Sequence, residues 1–265
     1  MNGRGFLPVY IGLACLVLMA PIVIVCVLAF RGQGYLRFPP ESLSLRWFAA
    51  FFGDGRWRQS LWSSTMIALI ACAISTVLGF FAAYALVRSD MRAKKMMLSF
   101  MLLPIIIPHV ITAIAMYFLT ARFGLVGNVV WIGLCHAVVA LPVVVLILLS
   151  AMQAVDLNLE RAALSLGASR ARVLLRVVIP IALPGILSAA LFAFLASFDE
   201  LIIALFLSGA RAQTLPVRIW NSLHLEIEPV IAAVSAFLIA VTGVVLLVDG
   251  AVRRLRAPSM AGGAA

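Results

Sequence analysis

Asp156-Leu157-Asn158-Leu159-Glu160-Arg161-Ala162-Ala163-Leu164-Ser165-Leu166-Gly167-Ala168-Ser169 is a polar interruption between two long apolar runs. It continues through Arg170, Arg172 and Arg176 to Ile179-Pro180 and Leu183-Pro184. Asp156 and Ser169 are each suited to accept a hydrogen bond from the first free N–H groups of a following helix. Between them Leu159, Ala162, Ala163 and Leu166 recur at three- and four-residue spacing, the pattern of one apolar helix face. Gly167 can take the left-handed conformation that ends a helix and turns the chain. The stretch reads as two short helices hinged at Gly167, after which Pro180 and Pro184 reset the backbone for the next apolar run. A hairpin of this size gains little by lying alone in water. It is expected to dock into a soluble partner, with small Ala162 and Ala163 permitting close approach.

The runs around it decide the fold class. The chain has 265 residues, of which 65% are apolar and 11% charged, with a mean hydropathy of +1.16. A soluble domain carries charge on about a quarter of its residues. Six stretches lack Asp, Glu, Lys and Arg over the ~20 residues that a helix needs to cross ~30 Å of hydrocarbon. A barrel would show shorter, alternating segments. The expected fold is therefore all-α and polytopic: a single transmembrane domain over 1–265, with spans at about 6–30, 61–87, 97–120, 128–150, 182–207 and 229–249. The hairpin fills the loop 156–180. The first run is too long for a signal core and no small-x-small cleavage site follows it, so it reads as a retained span. Cys15, Cys26, Cys72 and Cys135 all fall inside spans and read as packing residues.

A formal charge of +10 raises nucleic acid as a partner, but in a membrane chain Lys and Arg accumulate in cytoplasmic loops. The tight clusters adjoin span ends: Arg88, Arg92, Lys94 and Lys95; Arg161, Arg170, Arg172 and Arg176; Arg253, Arg254 and Arg256. Both termini are then cytoplasmic, lipid is the surrounding partner, and nucleic acid is not one. In the first outer loop, after Pro39-Pro40, Ser44 caps a short aromatic helix that Gly53-Asp54-Gly55 stops. That helix lies either on the outer leaflet or buried within the loop. Pro104 and Pro108 should kink the third span. An amphipathic segment, 215–223, sits in the last outer loop, and the residues 258–265 read as disordered.

With these residues in place, the hairpin resembles the EAA loop of ABC-importer permeases. That motif runs Glu-Ala-Ala, three residues, Gly, nine residues, then Ile-x-Leu-Pro. Ala162-Ala163, Gly167 and Val177-x-Ile179-Pro180 fall at the family spacing, while Arg161 occupies the position of the motif's Glu and Glu160 stands one residue earlier. The resemblance implies a type I ABC-importer-like permease whose coupling hairpin (Glu160, Arg161, Ala162, Ala163, Gly167, Ala168, Ser169 and Pro180) sits in a groove of a cytoplasmic ATPase. A phosphate-cradling loop needs Gly-x4-Gly-Lys-Ser/Thr. Lys94 and Lys95 are the sole lysines, and neither follows a glycine. The chain is thus expected to be no enzyme and to bind no cofactor itself, ATP and Mg²⁺ residing on the partner. No catalytic group and no metal site is expected.

Ser197-Phe198-Asp199-Glu200 places adjacent carboxylates deep in the fifth span, where charge is costly unless it faces a cavity, finds partners or is protonated. Either Asp199 or Glu200 would line the pathway and attract a cationic solute, or the pair would lock helices together. The stretch Ser-Phe-Asp-Glu-Leu-Ile-Ile-Ala-Leu-Phe-Leu-Ser-Gly, with Thr214-Leu215-Pro216, Glu228-Pro229 and Ser-Leu-Arg-Trp in the first outer loop, resembles the second permease of spermidine/putrescine-type importers. Ser63-Ser64 stands where that group usually shows Asn-Ser. The resemblance implies ATP-driven import of a polyamine or related amine through the bacterial inner membrane. The implied partners are a second six-span permease, an ABC ATPase dimer and an extracytoplasmic binding protein that docks near Trp47 and Trp220. His109 and His136 either face the pathway or, the commoner case for single histidines in a span, pack with a bond to a backbone group. Tyr117, Trp131 and Trp220 read as a cation cage or as interfacial anchors. The competing reading, a secondary transporter driven by an ion gradient, calls for inverted repeats and paired broken helices, and no repeat is evident.

Overall fold

The computed structural model describes residues 3–32, 42–90, 92–225 and 228–256, with backbone alone for 3–7, 225 and 253–256. Pro39-Pro40, the side chains of Arg253, Arg254 and Arg256, and the tail 258–265 lie outside the described residues. Among the described residues β pairing is limited to one isolated bridge between Arg31 and Leu43, and the rest of the regular structure is helical.

Among the described residues five helices are long and apolar enough to cross a membrane: Pro8–Ala29 within α1 (Gly3–Ala29), α3 (Gly55–Arg88), α6 (Val129–Gln153), the run Arg170–Phe198, and Val230–Val252 within α12 (Val230–Arg256). The expected third span is a broken one. α4 (Lys94–Ile106) and α5 (His109–Arg122) meet at 96°, so the chain turns a corner where only a kink was expected. Proline at 108 disfavours the helical region for Ile107, and both residues are indeed extended, with ψ of 129° and 130°.

The fifth span departs from expectation at both ends. The second arm of the hairpin is no separate helix. α8 (Arg170–Val173) passes through a π turn (Leu174–Val178) directly into α9 (Ile179–Phe198). The Ile179 N–H bonds back to the Leu174 carbonyl, five residues away. A widened turn just ahead of Pro180 relieves the clash that its ring would make with the carbonyl of Arg176 in a regular helix. At the far end the helix stops at Phe198, and a short α10 (Ile202–Leu207) follows after a break. The helix breaks where Asp199-Glu200 interrupt the apolar sequence.

The chain divides into two compact units. In the larger, Ser60–Val217 with Val245–Ala265, α6 packs along α9 around Val144, Leu148, Met152, Val178, Ala189 and Ala193, all buried. Helices in lipid gain from close packing between small residues rather than from hydrophobic drive. Gly79 against Val144, and Gly185 against Ala151, are such approaches. α10 packs on α5 and α6, with Ile203 and Leu207 set among Ala113, Ile132 and Cys135. The smaller unit is Met1–Gln59 with Arg218–Val244. There the Ser44 hydroxyl accepts the Arg46 N–H at 3.1 Å ahead of α2 (Arg46–Gly53). Phe51 is buried against Trp57 and Phe237, while Phe52 keeps an exposed ring, so α2 is half packed and half presented.

Candidate functional site

The hairpin forms from its caps outward. The Asp156 carboxylate accepts the Asn158 N–H at 2.9 Å and opens α7 (Leu157–Ser165). At the other end Gly167 adopts φ +83°, with Ala168 N–H bonded to Ala163 O at 3.1 Å and Gly167 N–H to Leu164 O at 2.9 Å. This paired closure is the Schellman arrangement, which needs a left-handed residue at that position. The Ser169 hydroxyl then accepts from Arg172 N at 3.4 Å and starts α8. Leu159, Ala162 and Leu166 are exposed, Leu166 at 89%, whereas Ala163 and Ala168 are half-buried against the core. The apolar face read from the spacing is present, less Ala163, and nothing in the described chain covers it. Arg161, Gly167, Ser169 and Pro180 are also exposed.

Glu160 is not on that face. Its side chain is 7% exposed and turned inward, where Arg88 Nη2 stands 2.6 Å and Nε 2.7 Å from Oε1. Arg88 also donates to the Val155 carbonyl at 2.7 Å, and the Tyr84 hydroxyl lies 3.5 Å from Glu160 Oε2. Arg88 was counted above only as one charge of a cytoplasmic cluster, because the pairing spans 72 residues.

The acidic pair divides in two. The Glu200 carboxylate accepts the N–H groups of Ile202, Ile203 and Ala204 at 3.1, 2.8 and 3.2 Å, so it caps α10 from inside the break. His136, fully buried on α6, bonds through Nδ1 to the Ser197 hydroxyl at 2.8 Å, and its Nε2 is 3.7 Å from Glu200. Asp199, next along, is exposed, and among the described residues its carboxylate makes no hydrogen bond or ion pair. A carboxylate fixed by three backbone donors has few lone pairs left for a solute. Of the two, Asp199 is the one whose carboxylate is left unengaged among the described residues.

The aromatic candidates separate too. Trp47 is only 9% exposed, beneath the Arg46 guanidinium at 4.7 Å. Trp220, on α11 (Leu215–Leu225), is 41% exposed and lies against His224 at 4.3 Å between ring centres. Trp131 donates its indole N–H to Thr120 at 2.7 Å, a packing role that sets it apart from Tyr117, whose ring is exposed.

The profile of the family described as "Binding-protein-dependent transport system inner membrane component" matches residues 75–257. The chain belongs to this family. This permease is 28% identical over 235 residues to the putrescine transport system permease protein PotI of Escherichia coli (strain K12), covering 86% of this chain and 83% of that one. It is 26% identical over 225 residues to the spermidine/putrescine transport system permease protein PotC of Haemophilus influenzae, covering 85% and 87%. A third relative, the sulfoquinovosyl glycerol transport system permease protein SmoH of Agrobacterium fabrum, is 30% identical over 181 residues, or 68% of this chain and 64% of that one. Among solved structures, a bacterial ABC transporter involved in alginate import aligns with a TM-score of 0.71 at 16% identity, over 96% of both chains. The MetNI methionine ABC transporter aligns at 0.60 and 17%, over 75% of this chain and 94% of that one. The permease thus has the all-helical fold of ABC-importer membrane subunits and is a multi-pass inner-membrane transport component.

Proposed function

We propose that the permease moves a small cationic amine of the polyamine class into the cytoplasm. It would do so beside a second six-span permease, above a cytoplasmic ATPase dimer that holds ATP and Mg²⁺, and below an extracytoplasmic binding protein that delivers the solute. The observation that carries this reading is Asp199, an exposed carboxylate at a break in a membrane helix, beside a Glu200 already committed to backbone donors. Exposed charge at such a position marks a solute path by default. A carboxylate attracts an ammonium group and repels a sulfonated sugar, which favours the putrescine and spermidine relatives over the sulfoquinovosyl glycerol one.

The hairpin supports the coupling role. Leu159, Ala162 and Leu166 offer an uncovered apolar face flanked by Arg161, Arg170 and Arg172, all exposed. With that surface in the cytoplasm, both termini are cytoplasmic as well. ATP-driven closure of the ATPase would bend the hairpin about Gly167 and alternate the exposure of Asp199, because nucleotide and solute favour different conformations. On the outer side, the exposed Trp220 ring suits contact with the binding protein, and the buried Trp47 suits support of the short helix that bears it.

Uptake of labelled putrescine, spermidine, glutamate and a sulfonated sugar by cells carrying the complete transporter tests the solute class. Preferential uptake of the two amines, reduced several-fold in Asp199→Asn, is the expected result. Equal uptake of an anion would remove Asp199 from the solute path.

A further inference from the structure

We infer that Arg88 is a positioning residue that ties the hairpin to α3, so that force applied to α7 enters the second span as well as α9. The inference rests on the permease reading above but concerns a residue which that reading leaves unused. The chain itself joins α7 to α6 through residues 154–156 and to α9 through α8. It gives α7 no direct connection to α3. That connection is made by the Arg88 guanidinium at the last residue of α3, which holds Glu160 of α7 by Nε and Nη2 and the Val155 carbonyl by Nη2.

The chemistry suits a rigid joint. A guanidinium is planar, always charged and offers its donors in a fixed fork, so holding two acceptors at once fixes its orientation. Both side chains are withdrawn from solvent, Arg88 at 14% and Glu160 at 7% exposure. Separating them would leave an uncompensated charge on each side, a far larger penalty than losing an exposed pair. The pair also borders an open cleft of about 590 Å³, lined by Ala85, Ser89, Leu164, Arg170 and Leu174 among others. The cleft lies on one side of the joint and an apolar cluster that includes Tyr84, Val87, Val155 and Ala163 on the other, and the ion pair is the charged contact that links α3 to α7 between them. Glu160 lies one position before Arg161, and adjacent helical positions diverge by about 100°. One turn of α7 can therefore present Arg161 and Ala162 outward while Glu160 is gripped from behind.

The test uses the reconstituted assembly with its cognate ATPase and binding protein, and measures ATP hydrolysed per solute moved. Arg88→Met and Glu160→Gln are expected to raise that ratio about fivefold or more, the lower end of ordinary coupling between sites. The charge swap Arg88→Glu with Glu160→Arg should recover much of the loss, and Arg88→Lys part of it. A merely structural role would lower assembly and both rates together and leave the ratio unchanged, which would overturn the inference. If single variants fail to assemble, the paired apolar replacement Arg88→Met with Glu160→Leu, which such sites tolerate, decides the matter. A wild-type ratio in that variant refutes the tie, and a raised ratio upholds it. A readout independent of any solute is the distance between spin labels at Ser89 and Leu164. It should stay narrow through the nucleotide cycle in the parent protein and broaden in Arg88→Met. Identical distributions in the two would refute the tie even where no transport is measured.

Discussion

The Ser64 hydroxyl accepts the backbone N–H of Leu215 at 2.8 Å, joining the second span to the Thr214-Leu215-Pro216 segment across 151 residues of chain. Both groups are buried. Ser64→Ala would leave that N–H without an acceptor, at a cost of about 1–3 kcal/mol. Thermal unfolding of the detergent-solubilised permease should show a lower midpoint for Ser64→Ala than for the parent. Ser64→Thr, which keeps the hydroxyl, should lie between them.

Asp199 and Glu200 should behave as different kinds of residue. Glu200→Ala leaves the N–H groups of Ile202, Ile203 and Ala204 unanswered, and loss of a helix cap costs about 0.5–2 kcal/mol. Asp199→Asn removes a charge from the surface and should leave the midpoint of unfolding within error of the parent while amine uptake falls. Measuring both quantities on both variants separates the roles. A stability loss confined to Asp199→Asn would reverse the assignment.

Gly167 should tolerate size but not branching. A Cβ there would meet nothing within 4 Å, so space is not the constraint; the φ of +83° is. A β-branched residue in the left-handed region costs about 1–2 kcal/mol, while asparagine visits it readily. Gly167→Asn is expected to support near-parental ATP-dependent uptake and Gly167→Val to lose most of it. Equal uptake in the two would show that the left-handed turn is dispensable.

The α3–α6 contact gives a steric prediction. A Cβ at Gly79 would stand 2.8 Å from Val144 Cγ1 and 3.2 Å from Leu148 Cδ1. Both neighbours are buried, and overpacking of this kind costs about 1–3 kcal/mol. Gly79→Val should reduce the yield of monodisperse permease after size-exclusion chromatography. Adding Val144→Ala to Gly79→Val should restore part of that yield.

Most of the architecture was legible because it is written in local periodicity. The apolar runs mark the spans, and Asp156, Gly167 and Ser169 mark the hairpin caps where the structure has them. What local pattern could not show is where an apolar run breaks. Leu201 to Leu207 reads as more of the fifth span, yet α9 ends at Phe198 and the Glu200 carboxylate accepts the N–H groups of Ile202, Ile203 and Ala204. Pro180 was a visible signal, but it reads equally as a helix start or as the cause of a π turn, and only the packed helix decides. The ties from Arg88 to Glu160, from Ser64 to Leu215 and from His136 to Ser197 join residues 61 to 151 positions apart. Side chains so distant in sequence carry no local signature of each other, which is why Glu160 reads as one more residue of the partner-docking hairpin until Arg88 is seen beside it.

The most direct trial of the whole account is the driving force for uptake in proteoliposomes that contain this permease and its partner subunits. Labelled putrescine should accumulate when ATP is enclosed with the ATPase side, and should not when ATP is absent and only a proton gradient is imposed. Accumulation on the gradient alone, with no ATPase present, would contradict it.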